Sequence, residues 1–459
     1  MPENLNRREF MKALGLTGAG VALTAGMTTD MVEATANTKP GEVPRKFWWV
    51  KTVDKPTTEI DWKLMKRFNE WETTRGSHAK YIGADRTKQL NEIAANNAKS
   101  WNGKKNGYML KDYALQAAVA NPAGNPISFL GPQKAKTPED RGMARYEGTP
   151  EEAARIVRVA LRHLGALNVG FVELEDETTK KLIYNEEPAP LKRKNVFENV
   201  DVGYQTDEKN VIPNKARWMI VFTVQMSGEA MRYSPTITGS QTTGLAYQRM
   251  WLITAQLSEF LRGLGYNGYG ASAFNGLGIM PAFGVLGGLG EMSRTNRMIT
   301  PEEGPNVRVT GLVTDLPLAP TKPINFGVMD FCKDCMICAQ ECPSRSLSYD
   351  REPSWTPEGP WNNPGHKAYF ENSATCRNYW RQVLTNCGIC FAVCPYSKQD
   401  EASIHQVWKA TAAKTSVFNG TIANINHKVY ETLKDPEEFW QKEDMAVLGI
   451  DTKIGKLRT

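Results

Sequence analysis

Apolar and polar residues keep two distinct rhythms in the middle of this chain. Thr149-Pro150-Glu151-Glu152 combines an N-cap, a first-turn proline and a capping-box glutamate. Ile156, Val157, Ala160, Leu161 and Leu164 then recur at helical spacing, and Gly165 supplies a stop. Asn168 to Leu174 predicts a strand, and Trp218 to Val224 predicts a second one, apolar enough for a sheet interior. Thr242 to Gly263 predicts a long helix ended by Gly265. Helix, strand, strand and helix in that order point to an α/β or α+β sandwich.

Around this unit the pattern weakens. Residues 37–145 read as a loop-rich region that wraps a later core. Trp48, Trp49, Trp62 and Trp71 lie near its start, and Asn121-Pro122-Ala123-Gly124-Asn125-Pro126 forms a turn cluster. Residues 276–290 hold Gly276, Gly278, Gly284, Gly287, Gly288 and Gly290, on pattern alone an irregular loop. The segment has no Gly-Lys-Ser/Thr and no Gly-x-Gly-x-x-Gly after a strand, which argues against phosphate-loop and nicotinamide binding. Beyond Ala402 the chain reads as amphipathic helices packing back on the core.

The 459 residues suffice for two or three domains. The formal net charge of +6 is scattered without a long run, so no nucleic-acid partner is expected. Residues 1–36 read as an export signal. Asn6-Arg7-Arg8-Glu9-Phe10-Met11-Lys12 resembles the twin-arginine signature, a weakly apolar run from Ala13 to Met27 follows, and Ala34-Thr35-Ala36 offers a cleavage site. That run is shorter than the roughly 20 residues a membrane span needs. The protein is expected on the outer face of the cytoplasmic membrane, exported folded and peripheral. With no span of its own, attachment would need a small integral-membrane anchor protein.

The cysteines change the picture most. All eight lie in two runs, Cys332-x2-Cys335-x2-Cys338-x3-Cys342-Pro343 and Cys376-x10-Cys387-x2-Cys390-x3-Cys394-Pro395. The first matches the bacterial ferredoxin spacing, and the second keeps its C-terminal half. In such runs the fourth cysteine serves the other cluster. Cys332, Cys335, Cys338 and Cys394 are therefore assigned to one 4Fe–4S cluster, and Cys342, Cys376, Cys387 and Cys390 to the other. Structural zinc also uses Cys-x2-Cys, but the paired Cys-x3-Cys-Pro ends are foreign to it. Regular spacing with no cysteine elsewhere argues against a disulfide framework.

An export signal, a central mixed unit and two C-terminal ferredoxin-type runs together resemble the respiratory reductive dehalogenases. The likeness includes Ile299-Thr300-Pro301-Glu302-Glu303-Gly304-Pro305-Asn306-Val307-Arg308, Asp315-Leu316-Pro317-Leu318-Ala319-Pro320 and Pro323-Ile324-Asn325-Phe326-Gly327. The resemblance implies an α+β protein with a nitroreductase-like α/β corrinoid-binding core and a C-terminal two-cluster ferredoxin-like module. The chain then divides into signal (1–36), N-terminal wrapping region (37–145), corrinoid-binding core (146–325), two-cluster module (326–400) and C-terminal helical segment (401–459).

The resemblance also implies a corrinoid bound base-off. None of the five histidines sits in an Asp-x-His-x-x-Gly motif. Tyr247, in Ala246-Tyr247-Gln248-Arg249-Met250, matches the family's proton donor, and Arg308 matches the arginine beside it. Asn275, Gly276 and Gly278 match positions near the corrinoid. Thr243 and Trp380 match positions lining the substrate pocket. Asn386 stands where some relatives place an aromatic, which leaves the pocket shape open. The implied reaction replaces halogen by hydrogen on an organohalide, with electrons from a respiratory-chain donor. Two other readings share part of the pattern: a corrinoid iron–sulfur reductase resembling the epoxyqueuosine reductases, and an exported iron–sulfur electron carrier.

Overall fold

The computed structural model describes residues 41–44, 47–120, 128–187, 192–270, 276–397, 403–429 and 433–451. Residues 1–36, read as an export signal, residues 121–126, read as a turn cluster, and Asn275 lie outside the described residues.

The N-terminal region is more helical than its pattern predicts. It carries α1 (Thr74–Ile82), α2 (Ala84–Trp101) and α3 (Leu110–Ala120). Only Leu90 of α2 is fully buried, so the helix shows almost no apolar stripe in its sequence. Its support comes from elsewhere: α1 and α2 pack against a helix near the second cysteine run, and α3 packs on the long central helix.

The core begins with α4 (Pro150–His163), whose Thr149 side chain accepts from the Glu152 amide while Glu152 accepts from the Thr149 amide. Ala153, Ala154, Val157 and Leu161 form its buried face. A fully buried side chain such as Leu161 contributes about 1.5–3 kcal/mol. Then come β1 (Val169–Glu173), β2 (Trp218–Gln225), α5 (Ile237–Gly263), β3 (Gly268–Tyr269), α6 (Met280–Leu286) and β4 (Val307–Thr314).

The four strands form one sheet in the order β1-β2-β4-β3, with every pairing antiparallel. This settles the fold as α+β. Strand β2 explains its own uniform apolar sequence. Ile220, Phe222 and Val224 face α4 and α5, while Met219 and Val221 face the side of α6. Strand β4 pairs with β2 from Val307↔Gln225 to Thr314↔Trp218, which sets Arg308 opposite Val224.

Two boundaries depart from the pattern. Helix α5 starts at Ile237 rather than Thr242, because Thr236 caps it and its first turns are polar. Thr238 donates to Asp112 at 2.8 Å, so those polar residues are satisfied inside the protein. Helix α6 interrupts the glycine-dense segment expected to be irregular.

The cysteine region follows, with α7 (Val328–Asp334), α8 (Ile337–Gln340), α9 (Ser373–Gln382) and α10 (Ile389–Ala392). Helices α11 (Ser403–Lys414) and α12 (Asn419–Val429) then cover α7. Among the described residues no helix is long and apolar enough to cross a membrane.

Candidate metal centres and active site

Short helices separated by tight turns present the thiols. Cys332 lies in the last turns of α7, Cys335 caps that helix and Cys338 sits in α8. Cys332, Cys335, Cys338 and Cys394 line one cavity, closed by Phe331 and Tyr396. All four are buried, whereas Cys342, Cys376, Cys387 and Cys390 are partly exposed. Burial pushes the Cys332 thiol up to about 11 and Cys335 to about 12, and the charge of neighbouring thiols adds to the Cys335 shift. Cys338 and Cys394 rise for the same reasons, with Cys332 and Cys335 acting on both.

The second group behaves alike. Burial raises Cys387 to about 11 and Cys390 to about 12, and Cys342 acts on both. Cys376 is also raised, and Cys390 is among its influences. Cys394 thus lines the cavity of the first run's thiols, and Cys342 lies within electrostatic reach of Cys387 and Cys390. Among the described residues no three His, Cys, Asp or Glu side chains converge on a single metal-ion position. Thiols spread around a multi-iron cluster need no such point.

The active-site candidates sit on three elements, α5, β4 and α9. Tyr247 projects from α5 one turn beyond Thr243, so both lie on one helix face. The Arg308 guanidinium, carried by β4, lies 4.8 Å from the centre of the Tyr247 ring. Trp251 stacks on the other part of this cluster, 6.1 Å from Tyr247. Thr243 is buried, with its hydroxyl 3.7 Å from the Met226 sulfur. Trp380, on α9, has the Arg377 guanidinium 5.3 Å from its ring. The Arg308 Nε and the Trp380 indole N–H are shut from solvent without a hydrogen-bond partner among the described residues.

The two glycines divide. Gly276 has φ +71°, a conformation that favours glycine. At Gly278 a Cβ would meet the Leu182 carbonyl oxygen at 2.4 Å. Close backbone packing thus accounts for Gly278 without a ligand.

Sequence reasoning missed three arginines. Arg75, on α1, is lowered by desolvation and raised in turn by Tyr247 and Glu70, so it lies within electrostatic reach of the tyrosine. It also acts on Arg377. Arg294 bonds the Cys332 and Cys335 carbonyls, and Arg297 pairs with Glu371 beside the second nest. None belongs to a motif, and no signal in the sequence links them to the site.

A mixed core joined to a double nest of thiols defines a redox protein built for iron–sulfur clusters. Residues 45–318 match the family described as reductive dehalogenase subunit, and residues 331–397 match the 4Fe-4S double cluster binding domain. The chain therefore belongs to the reductive dehalogenases, oxidoreductases acting on carbon–halogen bonds. It is 29% identical to the trichloroethene reductive dehalogenase of Dehalococcoides mccartyi, over 96% of this chain and 97% of that one. It is 37% identical to the tetrachloroethene reductive dehalogenase of Sulfurospirillum multivorans, over 54% of this chain and 51% of the relative. A solved reductive dehalogenase, studied for its B12-dependent dehalogenation, shares the fold with TM-score 0.60 at 20% identity. That likeness covers 84% of this chain, which spans about half (50%) of the solved one.

Proposed function

We propose that this chain is exported on its twin-arginine signal and replaces halogen by hydrogen on a small organohalide during respiration, using two electrons and one proton. The placement of Arg308 against the Tyr247 ring carries this reading. Four thiols per nest suit a 4Fe–4S cluster. The Arg308 Nε and the Trp380 indole N–H, buried without a hydrogen-bond partner among the described residues, are donors a polar-edged cofactor or substrate could satisfy. Gly276, Thr243 and Trp380 would border the corrinoid and substrate, together with Asn275. When bound, two 4Fe–4S clusters and a base-off corrinoid supply single-electron transfer and low-potential cobalt chemistry.

Other work falls to this chain's own residues. The Tyr247 hydroxyl donates the proton to the carbon that loses halide. Arg308 brings its guanidinium against the ring and stabilises the phenolate left behind. Two of the histidines are engaged away from the Tyr247–Arg308 pair. His78 bonds the Ala374 carbonyl at 3.2 Å and His427 contacts Glu341 at 2.9 Å. A small membrane anchor and a respiratory-chain electron donor are the expected partners.

Protein purified without oxygen tests the proposal by metal analysis and by halide release from a panel of chlorinated ethenes, alkanes and aromatics, with reduced viologen as donor. About eight irons and about one cobalt per chain are expected. Iron without cobalt, or no halide from any substrate, overturns it in favour of an electron carrier.

A further inference from the structure

The hairpin that joins the Glu291–Met292 and Met298–Ile299 strands reaches from the core towards both thiol nests. It delivers one arginine to each, and the two are treated differently. Arg294 is fully buried and lines the cavity of Cys332, Cys335, Cys338 and Cys394. Its Nε donates to the Cys332 and Cys335 carbonyls at 3.0 and 3.2 Å, and its Nη atoms donate to the Cys332, Ser348 and Asp350 carbonyls. Every hydrogen bond it makes among the described residues therefore ends on a neutral backbone oxygen. Tyr369 covers its other side, 4.2 Å from the ring centre. Two acids act on this nest: Glu291, at the hairpin's base, on Cys332, and Asp334 on Cys335. Glu291 accepts from the Phe326 and Val328 amides and Asp334 pairs with Arg351 at 2.8 Å, and neither forms an ion pair with Arg294 among the described residues.

Arg297 lies 6.0 Å from the Phe391 ring, beside Cys390, but its Nη1 is 2.5 Å from the Glu371 carboxylate. Glu371 is buried and itself influences Cys376 and Cys390. The positive charge beside the second nest is thus matched by a negative one.

We propose that this hairpin sets the two clusters at different potentials: uncancelled Arg294 raises that of the first nest, while the Arg297–Glu371 pair leaves that of the second lower. A reduced cluster carries one more negative charge, so a nearby unmatched cation favours reduction, and strongly so in a buried site. The inference rests on the iron–sulfur reading above and concerns this chain's own side chains. Arg294 and Arg297 are tuning residues that need not touch the substrate.

The test is a redox titration of the holoenzyme followed by electron paramagnetic resonance, with iron counted in every sample. Arg294→Gln should lower the reduced-to-oxidised ratio of the first cluster about tenfold at fixed potential, equal to about 59 mV for one electron. Arg294→Lys should keep most of the wild-type value, because charge matters more than the carbonyl bonds. Glu371→Gln should act in the opposite sense on the second cluster alone. Equal shifts of both clusters, no shift, or a Lys variant behaving like Gln overturns the proposal. If Arg294→Gln loses iron from the first nest, Glu371→Gln decides: an unmoved second cluster overturns it. Wild-type protein lacking iron instead overturns the iron–sulfur reading on which the proposal stands.

Discussion

The Tyr247–Arg308 pair and the two thiol nests are held by opposite means. The pair is placed by strand register and helix packing. Strand β4 runs in register along β2, whose two faces are buried, and Arg308 is delivered to α5 as a consequence. A slip of one residue would turn that side chain to the other face. The nests gather thiols that burial drives towards the neutral form. Thiolates are the metal-binding state, so these pockets become favourable when a positive centre enters. The difference teaches that strand register and helix packing bring Arg308 and Tyr247 together, whereas the cysteine region gathers thiols whose metal-binding form burial disfavours until a positive centre enters.

The sharpest break of this contrast comes from Cys342→Ser. The reduced-state resonance of the second cluster should disappear while that of the first remains, because Cys342 acts on Cys387 and Cys390. Loss confined to the first cluster would reverse the crossed assignment. Tyr247→Phe should do the converse, lowering halide release by about 10²–10⁴-fold with iron and cobalt content unchanged. An unaltered turnover rate would remove Tyr247 from the proton-donor role.

A third test uses acid. Burial alone would push the Glu229 carboxyl up, but Lys442, Lys434 and Arg232 outweigh it and hold it down at about 2. Its folded value lies below its unfolded one, so its stabilising contribution is complete above about pH 4.5 and fades as pH falls towards 2. Melting temperature against pH should show this acid limb, and Glu229→Gln should flatten it without disturbing the clusters at neutral pH. A parallel acid limb in the variant would exclude Glu229. The smallest effect is expected from Thr149→Ala, a loss of about 1 kcal/mol from the core by denaturant unfolding, since it removes one cap. A change in iron content in that variant would show that core and nests are not independent.

Much of the core was legible because its signals are local. The capping box at Thr149, the strand at Trp218 to Val224 and the end of α5 before Gly265 each follow from neighbours in the chain. Helices α1 and α2 were not legible, because their partner lies far away. Asn97 donates to the Gln382 carbonyl, Arg381 donates to Asn91, and His78 meets the Ala374 carbonyl, all on or beside α9. A polar helix that borrows its support from another segment shows little periodicity of its own.

The short cysteine spacings by themselves grouped Cys332, Cys335 and Cys338, and Cys387 with Cys390, since a few intervening residues limit how far each sulfur can reach; the crossed places of Cys342 and Cys394 followed from the ferredoxin pattern. The matched family segments marked Tyr247 and Arg308. Only the tertiary structure decided that Arg308 would lie over Tyr247, that Arg294 would hold the Cys332 loop and that Glu371 would neutralise Arg297. Those contacts join residues distant in the chain, where strand register and helix packing, rather than local spacing, set the distance between charges.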